Sequence, residues 1–104
     1  MAKRVDANQA QIVKELRDAG CSVQCLHEVG KGCPDILVGY EGYNFLFEIK
    51  DPSKPPSKRK LTSDEETWHN SWAGDATIIF TSEYALHYME SCVGCSSSSQ
   101  STGL

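Results

Sequence analysis

The sequence predicts a single α/β domain whose elements follow the order α-β-β-β-α-β-α. Residues 7–20 carry apolar side chains at helical spacing, and residues 61–74 and 82–92 each contain a helix-capping signal. Short runs rich in Val, Ile and aromatic residues lie between these segments and predict strands. A chain of 104 residues is long enough for one modest hydrophobic core.

The first half of the chain predicts a helix and three strands. The helix ends near Gly20, and the segment 22–29 predicts the first strand. DILVGY (35–40) and NFLFEIK (44–50) predict a hairpin with Gly42 in its turn. The proline-rich segment that follows residue 50 is excluded from any central strand, because proline cannot donate to the strand ladder.

The second half predicts a helix, a strand and a final helix. The middle helix begins at a cap, either Thr62 or Ser63, carries acids in its first turn and ends at Gly74. ATIIFT (76–81) predicts the fourth strand, and Ser82 is expected to cap the last helix. The domain is expected to cover residues 1–91, and the Ser-rich segment 92–104 is expected to be a disordered tail.

Composition indicates a cytoplasmic protein. No run approaches the roughly 18 apolar residues that span a bilayer, so no membrane association is expected. The N-terminus lacks the apolar segment of a signal peptide. Five cysteines are an odd number and do not form the dense framework of a small secreted domain.

Charge is concentrated in one segment. The chain has a net charge of −4, but residues 50–60 carry five basic groups and one acid, a balance of +4. The remaining residues therefore carry −8. A basic segment beside an acidic body could contact phosphate, and it could equally be a solvated loop.

Three charged residues lie where the hairpin strands begin and end. Asp35 opens one strand, and Glu48 and Lys50 share a face of the next because side chains alternate. A turn near residues 41–43 makes paired positions sum to about 84, which brings Asp35 near Glu48 or Lys50. Two carboxylates at one site favour a divalent cation between them, and hard oxygen ligands suit Mg²⁺. On spacing alone, an ordinary salt bridge at a strand end explains the same residues equally well.

The motif formed by Pro34, Asp35 and the Glu-Ile-Lys of residues 48–50 resembles that of the PD-(D/E)XK nuclease superfamily. The wider stretches VGKGCPDILVGYEGYNFLFEIK and KPPSKRKLTSDEETWH resemble the small stand-alone VRR-NUC proteins carried by phages and prophages. The resemblance covers roughly residues 5–90 and implies the cytoplasm of a bacterial host cell as the location. It implies a restriction-endonuclease-like core, in which a mixed central sheet is flanked by helices.

The resemblance also implies a site and a reaction. Asp35 and Glu48 would bind the metal together with the carbonyl of Ile49, and Lys50 would act on the attacking water or the scissile phosphate. The metal would be Mg²⁺, with Mn²⁺ able to substitute. The family reaction is hydrolysis of phosphodiester bonds, and related junction-resolving enzymes cut branched DNA as dimers. DNA and a second copy of the chain are therefore the expected partners.

Two positions depart from the family pattern. Many relatives place a glutamate on the first helix, whereas the inward polar residue here is Gln9, and Asp6 is the nearest acid. Relatives usually carry glutamine at the position of Glu65, which could face the site or simply lie in the first helical turn. We predict site-facing roles for Gln9 and Glu65.

The remaining expectations concern DNA contacts and the second helix. The basic residues of the charged segment are predicted to grip the DNA backbone: Lys54, Lys58, Arg59 and Lys60. Trp68 and Trp72 are expected to pack the second helix on the sheet rather than to stack on bases. His69 could contact phosphate, but it is expected to be a surface residue without a special role.

Two alternatives to a nuclease stay open at this point. The first is a DNA-binding module of the same fold in which the substitution on the first helix has removed hydrolysis. The second is a dimeric interaction protein whose charged hairpin residues form ordinary ion pairs. Metal binding distinguishes the second alternative from the others, and catalytic turnover distinguishes the first.

Overall fold

The computed structural model describes residues 8–102, with side chains described for residues 8–94. Helix α1 spans Gln9–Asp18, and strands β1, β2 and β3 span Ser22–Cys25, Ile36–Tyr40 and Tyr43–Ile49. A 3₁₀ turn covers Pro56–Lys58 and is followed by α2 (Ser63–Ser71), β4 (Thr77–Ile79) and α3 (Ser82–Thr102). The predicted order of helices and strands is confirmed. Asp6 lies outside the described residues.

The four strands form one mixed sheet in the order β1-β2-β3-β4. Strands β1, β2 and β3 are successively antiparallel, and β4 runs parallel to β3. A parallel pair needs a crossover connection, and the segment containing α2 provides it. This connection starts at the end of β3, so α2 is tied to the strand that carries Glu48.

The β2–β3 hairpin has a two-residue turn. Tyr40 pairs with Tyr43, and both intervening residues have positive φ, 51° for Glu41 and 84° for Gly42. These angles are those of a type I′ turn, which matches the twist of the strands. Ile36 pairs with Phe47, so the register differs by one from the predicted one and places Asp35 opposite Glu48. Residues directly opposite each other project to the same face of a sheet.

The two faces of the sheet have different environments. Side chains of Ile36, Val38, Phe45, Phe47 and Ile49 point to the face covered by α1 and α3 and form the core with Ile12, Leu16 and Met89. The alternating positions point to the opposite face, which carries the two acids of the hairpin, Asp35 and Glu48. The other side chains on this face are Leu37, Asn44 and Leu46. Helix α2 lies on the second face and contacts Lys50 through Glu65, while Leu37 and Leu46 remain partly exposed.

Gly32 sets the distance between the loop before β2 and the start of α2. It has φ of +84°, and a Cβ atom built on it would lie 2.2 Å from the carbonyl oxygen of Asp64. Only glycine fits so close a backbone contact. The loop that leads to Asp35 therefore packs directly on the first turn of α2, which aligns these two parts of the second face.

The last helix departs from the sequence expectation at both ends. The side-chain cap is Thr81, whose Oγ1 accepts from the N–H of Tyr84 at 3.0 Å, while Ser82 donates to Glu15. The prediction that Ser82 caps the helix was wrong, because the threonine one position earlier reaches the free N–H. The helix extends to Thr102 and so includes residues 92–102 of the expected disordered tail. The division into a domain 1–91 and a tail 92–104 stays a prediction. No helix in the described part of the chain is long and apolar enough to cross a membrane.

Candidate active site

Helix α2 begins with a capping box that fixes the orientation of Glu65. The side chain of Thr62 accepts from the N–H of Glu65 at 3.2 Å, and Glu65 Oε1 accepts from the N–H of Thr62 at 2.9 Å. Each residue satisfies a backbone group that the helix leaves unpaired. The same arrangement points the Glu65 carboxylate into the protein, where it is buried.

Asp35 is held against the end of β3 by its backbone and its side chain. Its N–H donates to the carbonyl of Phe47 at 3.0 Å, and its Oδ2 accepts from the N–H of Ile49 at 2.7 Å. At the end of the hairpin, the Asp35 carboxylate therefore takes the place of a backbone carbonyl as the acceptor for the N–H of Ile49. This contact fixes Asp35 beside the Glu-Ile-Lys segment, as the sequence motif predicts.

Lys50 lies between the acids of β3 and α2. Its Nζ is 2.8 Å from Glu65 Oε1 and 3.6 Å from Glu48 Oε2, and all three side chains are buried. Four of the predicted site residues are thus together on the second face of the sheet: Asp35, Glu48, Lys50 and Glu65. Burying charged groups lowers the stability of a fold unless the charges are paired. This cluster is therefore expected to lower the stability of the domain.

Burial raises the pKa of Glu48 to about 9, with further contributions from the charges of Asp35 and Glu65. Glu48 is only 1% exposed, which disfavours its charged form. Burial also opposes ionisation of Glu65, but hydrogen bonds from Lys50 and the backbone of Thr62 outweigh it and hold the pKa of Glu65 below its usual value. This raised pKa favours the protonated form of Glu48 at neutral pH when no metal is bound.

His69 belongs to the same cluster, although the sequence did not predict a place for it there. Its Nε2 lies 4.0 Å from Glu48 Oε1, and both atoms are buried without a hydrogen-bond partner. The expectation of an ordinary surface histidine was wrong. The signal that could have found it is the spacing, because His69 follows Glu65 by four residues and so lies on the same face of α2.

Gln9 is buried as predicted, with 4% of its surface exposed, and its Oε1 has no hydrogen-bond partner. It lines a groove of about 440 Å³ together with Val13, Arg17, Cys25 and His27. Its neighbour Asn8 reaches the end of β3 and donates to the carbonyl of Lys50 at 3.4 Å. A catalytic role for Gln9 stays a prediction.

The predicted DNA-binding segment forms the connection between two parts of the cluster. It starts directly after Lys50 and leads into α2, where Glu65 contacts Lys50 again. Lys54, Lys58 and Lys60 are exposed, and Arg59 is partly buried. The segment therefore forms a loop that begins and ends at the cluster.

An apolar groove of about 600 Å³ lies on the same face of the sheet. Trp68 and Trp72 stack on each other with ring centroids 4.6 Å apart, and Trp72 remains 47% exposed. Trp68 lines the groove beside the sheet residues Leu37 and Leu46, as predicted for a helix packed on the sheet, while Trp72 forms part of its rim. Val29 is also exposed there, at 62%.

The ligand types at the site fit a hard divalent cation. Asp35 and Glu48 offer carboxylate oxygens, and Glu48 Oε1 is buried without a hydrogen-bond partner. Within the described residues, no group of three His, Cys, Asp or Glu side chains is arranged to hold a metal ion. A cation here would therefore depend on few protein ligands, which is the usual manner of Mg²⁺ sites that also hold substrate phosphate.

Comparison with known proteins supports the fold. No family model and no curated protein matches the sequence. A solved structure titled "VRR_NUC domain" is similar to this chain, with a TM-score of 0.55 and 19% sequence identity. The similarity covers 79% of this chain and 89% of that structure. The α/β fold with a four-stranded mixed sheet flanked by helices, which the motif resemblance implied, is thereby confirmed.

Proposed function

We propose that this protein is a metal-dependent DNA endonuclease that hydrolyses phosphodiester bonds. The observation that carries the proposal is the cluster of three buried acids around Lys50, placed at the end of a hairpin on the face of the sheet opposite the core. Such a cluster destabilises the fold. A divalent cation bound among the acids would relieve their repulsion. The solved VRR_NUC domain structure with the same fold adds support.

The chain's own residues divide the task among them. Asp35, Glu48 and the carbonyl of Ile49 would hold Mg²⁺ or Mn²⁺. When bound, the ion would supply a Lewis acid for the phosphate and lower the pKa of the attacking water. Lys50 is proposed to stabilise the charge that develops on the phosphate.

Glu65 is proposed to orient Lys50 for this task. Its carboxylate contacts the ammonium at 2.8 Å, and the capping box prevents it from turning away. A lysine side chain has several rotatable bonds and can adopt many conformations. A fixed acceptor restricts Lys50 to few of them before substrate binds, so less conformational entropy is lost on binding. The acid found where relatives carry glutamine would therefore position Lys50.

DNA is the proposed substrate, and the basic segment is its proposed contact. The segment joins Lys50 to α2, so its lysines lie beside the site where a phosphodiester would be cut. We expect the paired change Lys54→Ala and Lys58→Ala to weaken binding of all DNA sequences alike and to reduce the slope of log affinity against log salt by about 2. Fluorescence anisotropy over a range of salt concentrations measures this slope. An unchanged slope would show that the segment is only a solvated connection.

The preferred DNA is proposed to be branched, and the active form a homodimer. Branched substrates and a role in phage replication and recombination follow from the motif resemblance. A dimer would extend the small surface that one chain offers to DNA. The exposed Trp72 and Val29 provide an apolar surface beside the site for that contact. Sedimentation equilibrium tests the oligomeric state, and a monomer at micromolar concentration would contradict the dimer.

The decisive experiment is cleavage of linear, flapped and four-way DNA with Mg²⁺, Mn²⁺ or EDTA. Metal-dependent cutting by the wild type, lost in Asp35→Ala, supports the nuclease. Binding without cutting favours the inactive DNA-binding module, and absence of both DNA binding and metal binding favours the interaction protein. Loss of cutting in Asp35→Ala has meaning only if that variant unfolds at the wild-type temperature, so thermal unfolding is the control.

A further inference from the structure

The imidazole of His69 on α2 faces the carboxylate of Glu48 on β3. Glu48 Oε2 lies toward Lys50, at 3.6 Å from its Nζ, and the other oxygen, Oε1, lies toward His69 Nε2. The separation of 4.0 Å between Oε1 and Nε2 is longer than a hydrogen bond, which has a typical length of about 2.7–3.2 Å. Both atoms are buried and have no partner. A buried polar atom without a partner is costly, so each of the two atoms needs the other.

The imidazole ring is constrained to face this oxygen. His69 follows Glu65 by one helical turn, and the capping box holds that turn in place. Trp68 packs edge-on against the imidazole, with ring centroids 5.6 Å apart, and is itself stacked on Trp72. A shift of about 1 Å would bring Nε2 within hydrogen-bonding distance of Oε1.

We propose that His69 is a positioning residue that donates a hydrogen bond from Nε2 to Glu48 Oε1 and so orients the carboxylate that binds the divalent cation. With one lone pair of Oε1 held by His69, the carboxylate has a fixed orientation, and its remaining lone pairs are available to the ion. Carboxylates that bind metals are commonly oriented by such an outer hydrogen bond. This inference rests on the proposed function, because it takes Glu48 to be a metal ligand.

The test compares two variants that differ in the presence of an N–H donor. His69→Leu keeps an apolar side chain for Trp68 to pack against but removes the donor. His69→Gln keeps an amide N–H of similar reach that never titrates. The matched control is His87→Leu on the exposed surface of α3, far along the chain from the cluster. If His69→Leu fails to fold, His69→Met replaces it.

The measurement is the affinity for Mn²⁺ alone, obtained by electron paramagnetic resonance of the free ion. We expect His69→Leu to weaken binding about 10–100-fold, while His69→Gln and His87→Leu stay within about 3-fold of the wild type. Thermal unfolding without metal should be similar in all four proteins. A merely structural role for His69 would lower the unfolding temperature and would not be rescued by glutamine.

Two results would overturn the inference while leaving the nuclease proposal standing. One is equal loss of Mn²⁺ affinity in the leucine and glutamine variants, which would mean that the imidazole itself is required. The other is wild-type affinity in both. Failure of the wild type to bind Mn²⁺ at all would overturn the proposed function together with this inference, so the two failures are distinguishable.

Discussion

The two faces of the sheet are built by alternate residues of the same strands, yet they follow opposite physical rules. Phe47 and Ile49 point to the face covered by α1 and α3, where they are fully buried among apolar side chains. Glu48, between them, points to the other face and is buried among acids and a lysine. The first face stabilises the fold, and the second carries the cost of the buried charges on which the proposed function rests.

The largest expected effect comes from breaking the first face beside an intact second face. We expect Phe47→Ala to lower the free energy of unfolding by about 3–5 kcal/mol, because it leaves a cavity in a fully buried position. Glu48→Gln, one residue away, should change it by less than about 1 kcal/mol near pH 4.5, because Glu48 holds a proton in the folded protein there and is only partly ionised in the unfolded chain. Urea unfolding measures both. A larger loss for Glu48→Gln than for Phe47→Ala would reverse the assignment of the two faces.

A smaller effect is expected where the second face is assembled from two separate segments. Gly32→Ala should destabilise the protein by more than about 2 kcal/mol, because a positive φ alone costs about 1–2 kcal/mol and the added Cβ also meets the backbone of Asp64. Gly30→Ala is the matched control, since Gly30 also has positive φ but has no atom within 4 Å of the added Cβ. We expect Gly32→Ala to reduce DNA cleavage as well, because displacement of α2 separates Glu65 from Lys50.

Equal losses of stability in Gly30→Ala and Gly32→Ala would contradict this account of the close contact with α2. Chemical unfolding at pH 7 gives the comparison. Cleavage assayed well below the unfolding temperature separates a displaced site from an unfolded chain.

The sequence predicted the first face more completely than the second. The first face followed from the apolar alternation in the hairpin and the helical stripe of Ile12 and Leu16, because such patterns depend on local periodicity. The motif around Asp35 and Glu48 located the site, and the hairpin register erred by only one position. The capping pattern of Thr62 and Glu65 also indicated the start of α2 correctly.

The parts that the sequence did not predict depend on contacts between distant segments. His69 was missed because its environment is set by Glu48, which lies on another element. The helical spacing from Glu65 carried the signal, but only once Glu65 was known to face the site. The contact between Gly32 and Asp64 has no local signature either, because it arises from the packing of a loop on α2.

A second difference between the faces is expected in how the free energy of unfolding responds to pH. The pKa of Glu48, raised to about 9 in the folded protein from an ordinary value of 4.5, means that folding without metal takes up a proton between these limits. Stability from this group is therefore fully present below about pH 4.5 and is lost as pH rises toward 9. We expect the free energy of unfolding to fall by up to about 1.4 kcal/mol per pH unit over this window.

The matched variant for the pH experiment is Glu48→Gln, which cannot ionise. Its free energy of unfolding should be nearly independent of pH between 5 and 9, so it should become more stable than the wild type at the alkaline end. Urea unfolding in EDTA at several pH values provides the data. Parallel curves for the two proteins would show that Glu48 is ionised throughout and that its neighbours tolerate the charge.

The central claim, that the charged face carries out phosphodiester hydrolysis, is tested most directly by single-turnover cleavage with Lys50→Ala at saturating enzyme and Mg²⁺. An ammonium that stabilises the transition state contributes more to the rate than to binding. The account predicts a fall in rate of about 10²-fold or more, comparable to the loss of one preorganised donor, with DNA affinity nearly unchanged. Cleavage at the wild-type rate would contradict it, because Lys50 would then be only a partner for Glu65.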